Sequence, residues 1–443
     1  MRLIFSFFVP VMLCNLFQQI YNIADSVIVG RFVGADALAA VGSTGSITFL
    51  FLGFLNGICA GCAVPVARHF GAKQYGQMRR AVANTIYFTL AVSVLLTTVT
   101  LLLLNQILTL MQYPADIFTY SKEYLTFTFA GTVCVAFYNL SANLLRAVGD
   151  SRTPLISLAI ACVVNVTLNI LFVKMGMAVI GVALATIIAQ FLSVLFCAVY
   201  IFFRLPVLFP KKGEWKFDFR YIRDIAGVGI PMGLQFSVTA IGSIVVQSVV
   251  NSLGTLYVTA VTTANKVLAI FSNGVMESVG ITMVTYCSQN MGAQRTDRIK
   301  RGIAAAWIIM AGVVAAVMLI FYFFGGDLVA VFLKPDEPDK NKIIELSQYY
   351  LRLMGYFLLP LASIFIFRNS IQGLGFSTIA MLGGFLELIG RSAISVLLLE
   401  PYGYHGVVWA SPIAWLVAGI FFLIIFAVLM RKIEKRPAAR TTA

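Results

Sequence analysis

Charge is scarce in this sequence: only 11% of its 443 residues are Asp, Glu, Lys or Arg. A soluble globular chain carries about 25%, so this composition excludes an ordinary water-exposed domain and points to a polytopic membrane protein. Histidine occurs only twice, at His69 and His405, both expected at loops and without an assigned role. There is no Gly-rich nucleotide-binding loop and no HExxH pattern. These absences argue against an ATP-driven pump and leave an ion gradient as the source of energy. No clustered catalytic or metal constellation is present, which argues against a membrane-embedded enzyme and leaves no catalytic residue to name. The seven cysteines (14, 59, 62, 134, 162, 197 and 287) all lie in apolar stretches, so they read as small packing residues rather than a disulfide framework. Cys59 and Cys62 form a CxxC without further ligands and are read the same way. A small-residue cleavage site is also missing after "MRLIFSFFVPVML", so the first apolar segment reads as a retained helix.

What is abundant is apolar sequence, 60% of the chain. Windows of about 20 apolar residues mark membrane spans. Twelve are expected, near 3–30, 37–67, 81–110, 121–145, 153–173, 179–203, 225–251, 257–288, 302–324, 346–369, 376–399 and 406–430. Several are longer than one bilayer thickness, which implies tilt or extension beyond the lipid. The basic residues sort by alternate loops. One side receives Arg2, the groups around 68–80, 146–152, 204–223 and 295–301, and the tail from Arg431, together 22 of the 32 Lys and Arg. The other side has Arg31, Lys122, Lys174, Lys334, Lys340 and Lys342. By the positive-inside rule both termini are cytoplasmic. The net charge of +14 is thus a topology signal and gives no support to nucleic-acid binding.

The chain repeats itself. "ARHFGAKQYGQMRRAV" (67–82) echoes "SQNMGAQRTDRIKRGI" (288–303), Pro10 echoes Pro231, and "NLLRAVGDS" (143–151) echoes "NSIQGLGFS" (369–377). Six spans per repeat is an even number, so both repeats enter the membrane in the same direction. The expected fold is therefore an all-α integral membrane protein of twelve transmembrane helices. They form two six-helix bundles related by a pseudo-two-fold axis along the membrane normal, an arrangement suited to alternating access. The expected organisation is an N-terminal lobe over 1–203, a cytoplasmic linker over 204–224, a C-terminal lobe over 225–430 and a basic cytoplasmic tail over 431–443. The linker, "RLPVLFPKKGEWKFDFRYIRD", mixes aromatic and basic residues, which suggests that it lies against the inner leaflet.

Within the spans, "NLFQQIYNIADSVIVG" (15–30) stands out. Asn15, Gln18, Asn22 and Asp25 are spaced 3, 4 and 3, so they share one helical face. The topology puts Asp25 toward the outer half of the first span, and at the corresponding position the second repeat has Val245 or Val246. Asn165 and Asn169 lie i, i+4 on the fifth span and Thr186 on the sixth, as plausible partners. A buried carboxylate among amides can hold a proton or a small cation such as Na⁺; the alternative is an acceptor that merely pins helices. Gln18, Asn22, Gln235, Lys266 and Glu387 are candidates for a substrate cleft, and Pro10 and Gly30 for bending of the first helix. Glu387 and Arg391, at i, i+4 with the acid first, also read as a self-neutralising pair. Arg352 and Arg368 stand near span ends, where long side chains can snorkel.

The chain resembles the MATE (multidrug and toxic compound extrusion) transporters, in their bacterial DinF-like branch. The resemblance runs over essentially the whole sequence. It rests on the order and spacing of 10–42, "FGAKQYGQMRRA" (70–81), "LLRAVGDSRTP" (144–154), "NVTLNILFV" (165–173) and "NMGAQRTDRIKRG" (290–302). It implies a two-lobed exporter in a bacterial cytoplasmic membrane, exchanging organic, often cationic, compounds for H⁺ or Na⁺. It also implies a coupling role for Asp25, with Asn165, Asn169 and Thr186 as polar partners. Asn169 stands where some relatives have a second Asp, which leaves one carboxylate at the site. The acids of the C-lobe sodium site found in another branch have no counterpart here. The expected partners are a small organic substrate and membrane lipids, with no nucleic acid, no cofactor beyond the coupling ion, and a monomeric chain. A flippase for a lipid-linked precursor shares this architecture and is the alternative; the few available cleft cations, Lys266 and Arg391, weigh against it.

Overall fold

The computed structural model describes residues 1–111, 113–333 and 339–435. Lys334, Arg436 and Arg440, used above for orientation, and the tail over 436–443 lie outside the described residues. The described chain is all helical. In order, the helices are α1 (Arg2–Phe32), α2 (Ala35–Ser43), α3 (Gly45–Gly71), α4 (Tyr75–Leu110), α5 (Ala115–Ala130), α6 (Thr132–Ala147), α7 (Arg152–Lys174) and α8 (Ala178–Arg204). There follow α9 (Phe219–Asn251), α10 (Thr255–Phe271), a π-helical turn (Ser272–Met276), α11 (Glu277–Gly292) and α12 (Thr296–Ala330). The last four are α13 (Lys340–Tyr356), α14 (Leu358–Gly373), α15 (Ser377–Leu397) and α16 (Leu399–Glu434).

Ten segments are long and apolar enough to cross a membrane, and two bent pairs bring the number to as many as twelve. The twelve expected windows fall on these segments. The outward faces are apolar, with Leu95, Leu102 and Val163 all well exposed, as expected where lipid rather than water is the solvent. Both bent pairs replace what the sequence reads as a straight span. α5 and α6 meet at 48° across Gly131, and α13 and α14 at 49° across Phe357. Gly131 is separated from Phe357 by the same interval as Asn143 from Asn369, so the bend belongs to the repeat. At Gly131 a Cβ would lie 2.3 Å from Ile187 of α8, so the close approach of that helix requires glycine there. The turns before α4 and α12 also match, with Lys73 at φ 59° and Gln294 at φ 56°, both left-handed.

The chain falls into two compact units, Val9–Ser237 and Met1–Phe8 with the residues from Val238 onward. The divisions fall inside α1 and α9. In the Val9–Ser237 unit, α3, α4 and α6 enclose a core that includes Leu55, Ile58, Met78, Ala81, Leu140 and Leu144. Cys59 and Cys62 pack in this core, and Cys59 donates from Sγ to the carbonyl oxygen of Ala136 at 3.5 Å. α3 and the first half of α9 cross at two GxxxG stretches. A Cβ on Gly61 would lie 2.5 Å from Gly229 Cα, and one on Gly57 would lie 2.6 Å from the carbonyl oxygen of Met232. Small residues are what allow helix backbones to approach this closely in a membrane.

The linker between α8 and α9 is fastened to α4. Arg79 donates from Nε to Glu214 Oε2 at 2.6 Å and from a terminal guanidinium nitrogen to Oε1 at 2.8 Å. Asn84 donates to the carbonyl of Lys216 at 3.1 Å and accepts from the Asp218 amide at 2.9 Å. Within the linker Leu208 is buried in the core, while Phe209 and Phe217, and Phe219 at the start of α9, are exposed.

In the other unit, α10, α13, α15 and α16 pack with α11, α12 and α14. Ser347 donates to the Ala260 carbonyl at 2.9 Å, and Ser288 to that of Gly373 at 3.1 Å. Phe321 and Phe422 are fully buried anchors of this core.

Candidate functional site

The Val9–Ser237 unit gathers a polar set from three helices that are otherwise apolar. Asn165 and Asn169 stand one turn apart on α7, so their carboxamides project from one face. Asn169 donates from Nδ2 to Asp25 Oδ1 of α1 at 2.5 Å and to Asn165 Oδ1 at 2.9 Å. Asn165 in turn donates to the Tyr21 hydroxyl and to Thr186 Oγ1 of α8, each at 3.3 Å. Thr186 donates back to the Val182 carbonyl at 3.0 Å. Both asparagines are fully buried. Buried polar groups require partners, and here they form one connected chain ending on the carboxylate.

The chain has an open end. Both amide hydrogens of Asn169 are used, yet its buried Oδ1 has no hydrogen-bond partner among the described residues. An acceptor oxygen therefore sits unsatisfied on the group that holds Asp25. Asn169 is the hydrogen-bond partner of Asp25 among the described residues, and Tyr21, Tyr124 and Cys162 lie within its electrostatic reach. An apolar wall of Val29, Ala37, Val179 and Val182, with Tyr120 and Tyr124 against it, closes one side. The Asp25 carboxylate and the unsatisfied Asn169 Oδ1 are hard oxygen acceptors, the kind of group that takes a proton or a hard monovalent cation.

Asp25, Asn165, Asn169 and Thr186, singled out from the sequence, are thus brought together. Tyr21 is an addition; it stands one turn before Asp25 on the same face of α1, so helical spacing could have found it. The other candidates are divided. Gln18 and Asn22 are exposed on α1 and Gln235 is buried on α9, all in the Val9–Ser237 unit. Lys266 and Glu387 belong to the other unit. Lys266 is exposed, with Nζ 5.8 Å from the centroid of the Phe332 ring. Glu387 is buried and ion-paired to Arg391 one turn on, the pairing expected from their spacing. Pro10 and Gly30 lie within one continuous α1. A Cβ on Gly30 would meet the flexible end of Leu38 at 2.9 Å.

A second polar set gathers around Arg368, a grouping that spacing along the chain does not reveal. Rather than reaching for a span end, Arg368 lays its guanidinium over the Phe365 ring at 4.9 Å, facing Glu387 and Glu277. Glu277 follows directly on the π-helical turn, a distortion found often at functional positions. Nearby, Tyr350 donates to Asn265 Oδ1 at 2.9 Å.

Comparison with known proteins adds to this geometry. The family model described as MatE matches residues 10–171 and again 231–390, beginning at the repeated prolines Pro10 and Pro231. The probable multidrug resistance protein YoeA of Bacillus subtilis (strain 168) is 28% identical over 439 residues, covering 91% of this chain and 93% of that protein. The multidrug export protein MepA of Staphylococcus haemolyticus (strain JCSC1435) is 23% identical, covering 95% and 92%. Among solved structures, an outward-facing multidrug resistance MATE family transporter of the MOP superfamily superposes with a TM-score of 0.90. It is 20% identical, with 98% of this chain and 96% of that one covered. Two matches to one family model across most of the sequence, on a fold shared end to end with a solved transporter, establish that the chain belongs to the MATE family of membrane transporters.

Proposed function

We propose that this protein exports organic, often cationic, compounds across a bacterial cytoplasmic membrane in exchange for H⁺ or Na⁺, by alternating access of two lobes. The observation that carries the reading is the Asn169–Asp25 hydrogen bond, beside an Asn169 oxygen that has no partner among the described residues. A carboxylate held this way is stable in the membrane when neutralised by a proton or a bound cation, and demands partners when it is not. Filling and emptying of Asp25 then favour different arrangements of α1 against α7, which is the differential binding a coupled transporter needs. The names of YoeA and MepA support a multidrug substrate range. Both termini are cytoplasmic in this reading, the lobes are residues 1–203 and 225–430, and the chain works as a monomer.

The test uses proteoliposomes loaded with a fluorescent cation such as ethidium, under an imposed pH or Na⁺ gradient. Wild type moves the dye under at least one gradient, and Asp25→Asn binds the dye but does not respond to either. Equal gradient-driven movement by both proteins refutes the coupling role of Asp25. Movement of labelled lipid, with no dye movement under any gradient, replaces the exporter by a flippase.

A further inference from the structure

A groove of about 300 Å³ opens where the N-terminal end of α12 meets α14 and the C-terminal end of α16. Its floor is apolar, formed by Phe367, Phe426 and Met430, with Leu423 as one wall. The Phe367 and Phe426 rings lie 5.6 Å apart, centroid to centroid, and both side chains are mostly buried while Leu423 is exposed. Its mouth is charged. Lys300 pairs with Glu434 at 2.6 Å, with both side chains still partly exposed, and Arg431 stands beside them on α16. With Lys300 and Arg431 set against Glu434 alone, the rim is net positive.

We propose that this groove seats an anionic phospholipid, with one acyl chain on the Phe367–Phe426 floor and the phosphate at Lys300 and Arg431. Length supports this occupant. Leu423 and Glu434 are eleven residues apart, about 16 Å along a helix, close to the roughly 15 Å of one leaflet's hydrocarbon. The groove therefore runs from the middle of the bilayer to the headgroup level, apolar at the first and cationic at the second. Basic pockets between helices at the cytoplasmic face suit such headgroups. An aqueous anion would leave the aromatic floor uncovered. This rests on the proposed orientation, with the end of α16 at the cytoplasmic surface.

The experiment is native mass spectrometry of the full-length protein, purified in detergent and mixed with phosphatidylglycerol or phosphatidylcholine of equal chain length. Wild type retains phosphatidylglycerol several-fold more than phosphatidylcholine. Arg431→Ala and Lys300→Ala each lower that retention about fivefold. Leu423→Trp, at an exposed wall position that does not burden folding, lowers retention of both lipids by filling the groove. Equal retention of the two lipids, or no effect of Leu423→Trp, overturns the proposal. So does displacement of the lipid by millimolar inorganic phosphate, which would make the rim a simple anion site. Binding in detergent does not depend on transport. A protein that moves dye but retains no phosphatidylglycerol therefore refutes the groove alone.

Discussion

Alanine at position 61 would place a methyl group where the backbone of α9 now runs. The Cβ would lie 2.5 Å from Gly229 Cα, 2.9 Å from Gly229 N and 3.0 Å from the Val228 carbonyl oxygen. Carbon atoms prefer separations near 3.5–4.0 Å, so α3 and α9 must part by about 1 Å. No rotamer can relieve the contact, because all three neighbours are main-chain atoms. Overpacking of this kind costs about 1–3 kcal/mol, offset by up to about 1 kcal/mol from the better helix propensity of alanine. The net expectation for Gly61→Ala is a loss of about 1–2 kcal/mol. Gly57→Ala, aimed at the Met232 oxygen 2.6 Å away, should cost a similar amount. Once one methyl has opened the crossing, the other has less to displace, so the double variant should cost less than the two singles together. Gly312→Ala in α12 is the control, since nothing lies within 4 Å of its Cβ position. The assay is the temperature at which half the protein ceases to be monodisperse in detergent, at one scan rate for all variants. Gly61→Ala as stable as Gly312→Ala, or a double variant equal to the sum, would refute close helix approach as the role of these glycines.

Other expectations concern the polar contacts. Arg79 holds the Glu214 carboxyl below its ordinary value of 4.5. That contribution to stability is fully present above the ordinary carboxylate range and is lost as pH falls through the lowered value. Glu214→Gln should therefore lower the unfolding temperature at pH 7, with the difference from wild type shrinking as pH falls below 4.5 and gone once the lowered value is passed. Glu387→Gln leaves Arg391 buried beside a neutral partner and should cost about 3–5 kcal/mol, while Glu387→Gln with Arg391→Gln should cost less; unfolding temperatures of the three proteins decide this. Asn169→Leu removes a hydrogen bond to a charged group, worth about 1.5–3 kcal/mol. It should shift the half-saturating H⁺ or Na⁺ concentration for dye transport by about 10–100-fold. Tyr21→Phe keeps the Asn169–Asp25 bond and loses the hydroxyl's contacts with Asn165 and Thr186, so it should shift it less than about fivefold; reversal of that order would put Tyr21, not Asn169, next to the ion.

Hydrophobic runs made the spans readable, because in lipid a helix must carry its own backbone hydrogen bonds and an apolar exterior. The polar site was legible for the same reason: Asp25, Asn165 and Asn169 are conspicuous where almost everything else is apolar. The bends at Gly131 and Phe357 were not, because both flanking segments are apolar and a window average cannot see a change of direction. The π-helical turn before Glu277 leaves no mark in composition either. Arg368 was misread as a snorkelling side chain because its distance from the span end is local, whereas Glu277 and Glu387 reach it through tertiary packing. The linker showed its aromatic and basic character but not its attachment to α4, since Arg79 and Glu214 stand 135 residues apart.

The Gly57–Gly61 crossing also bears on how the chain is made. The residues that pack on α3 there, Gly229 and Gly233, are synthesised only after the sixth span and the linker have left the ribosome. Until then α3 presents to the bilayer a flat glycine face with no side chains to cover it. The nascent first half is thus an unfinished object, held open for a helix whose far end belongs to the other unit. The Arg79–Glu214 clamp needs only α4 and the linker, both of which precede that helix in the chain. The order of synthesis, rather than the finished contacts alone, then determines when the first unit can close. Separately expressed halves cut between α8 and α9 should accordingly assemble poorly, whereas a cut after Asn251 would deliver the first half together with the helix it needs.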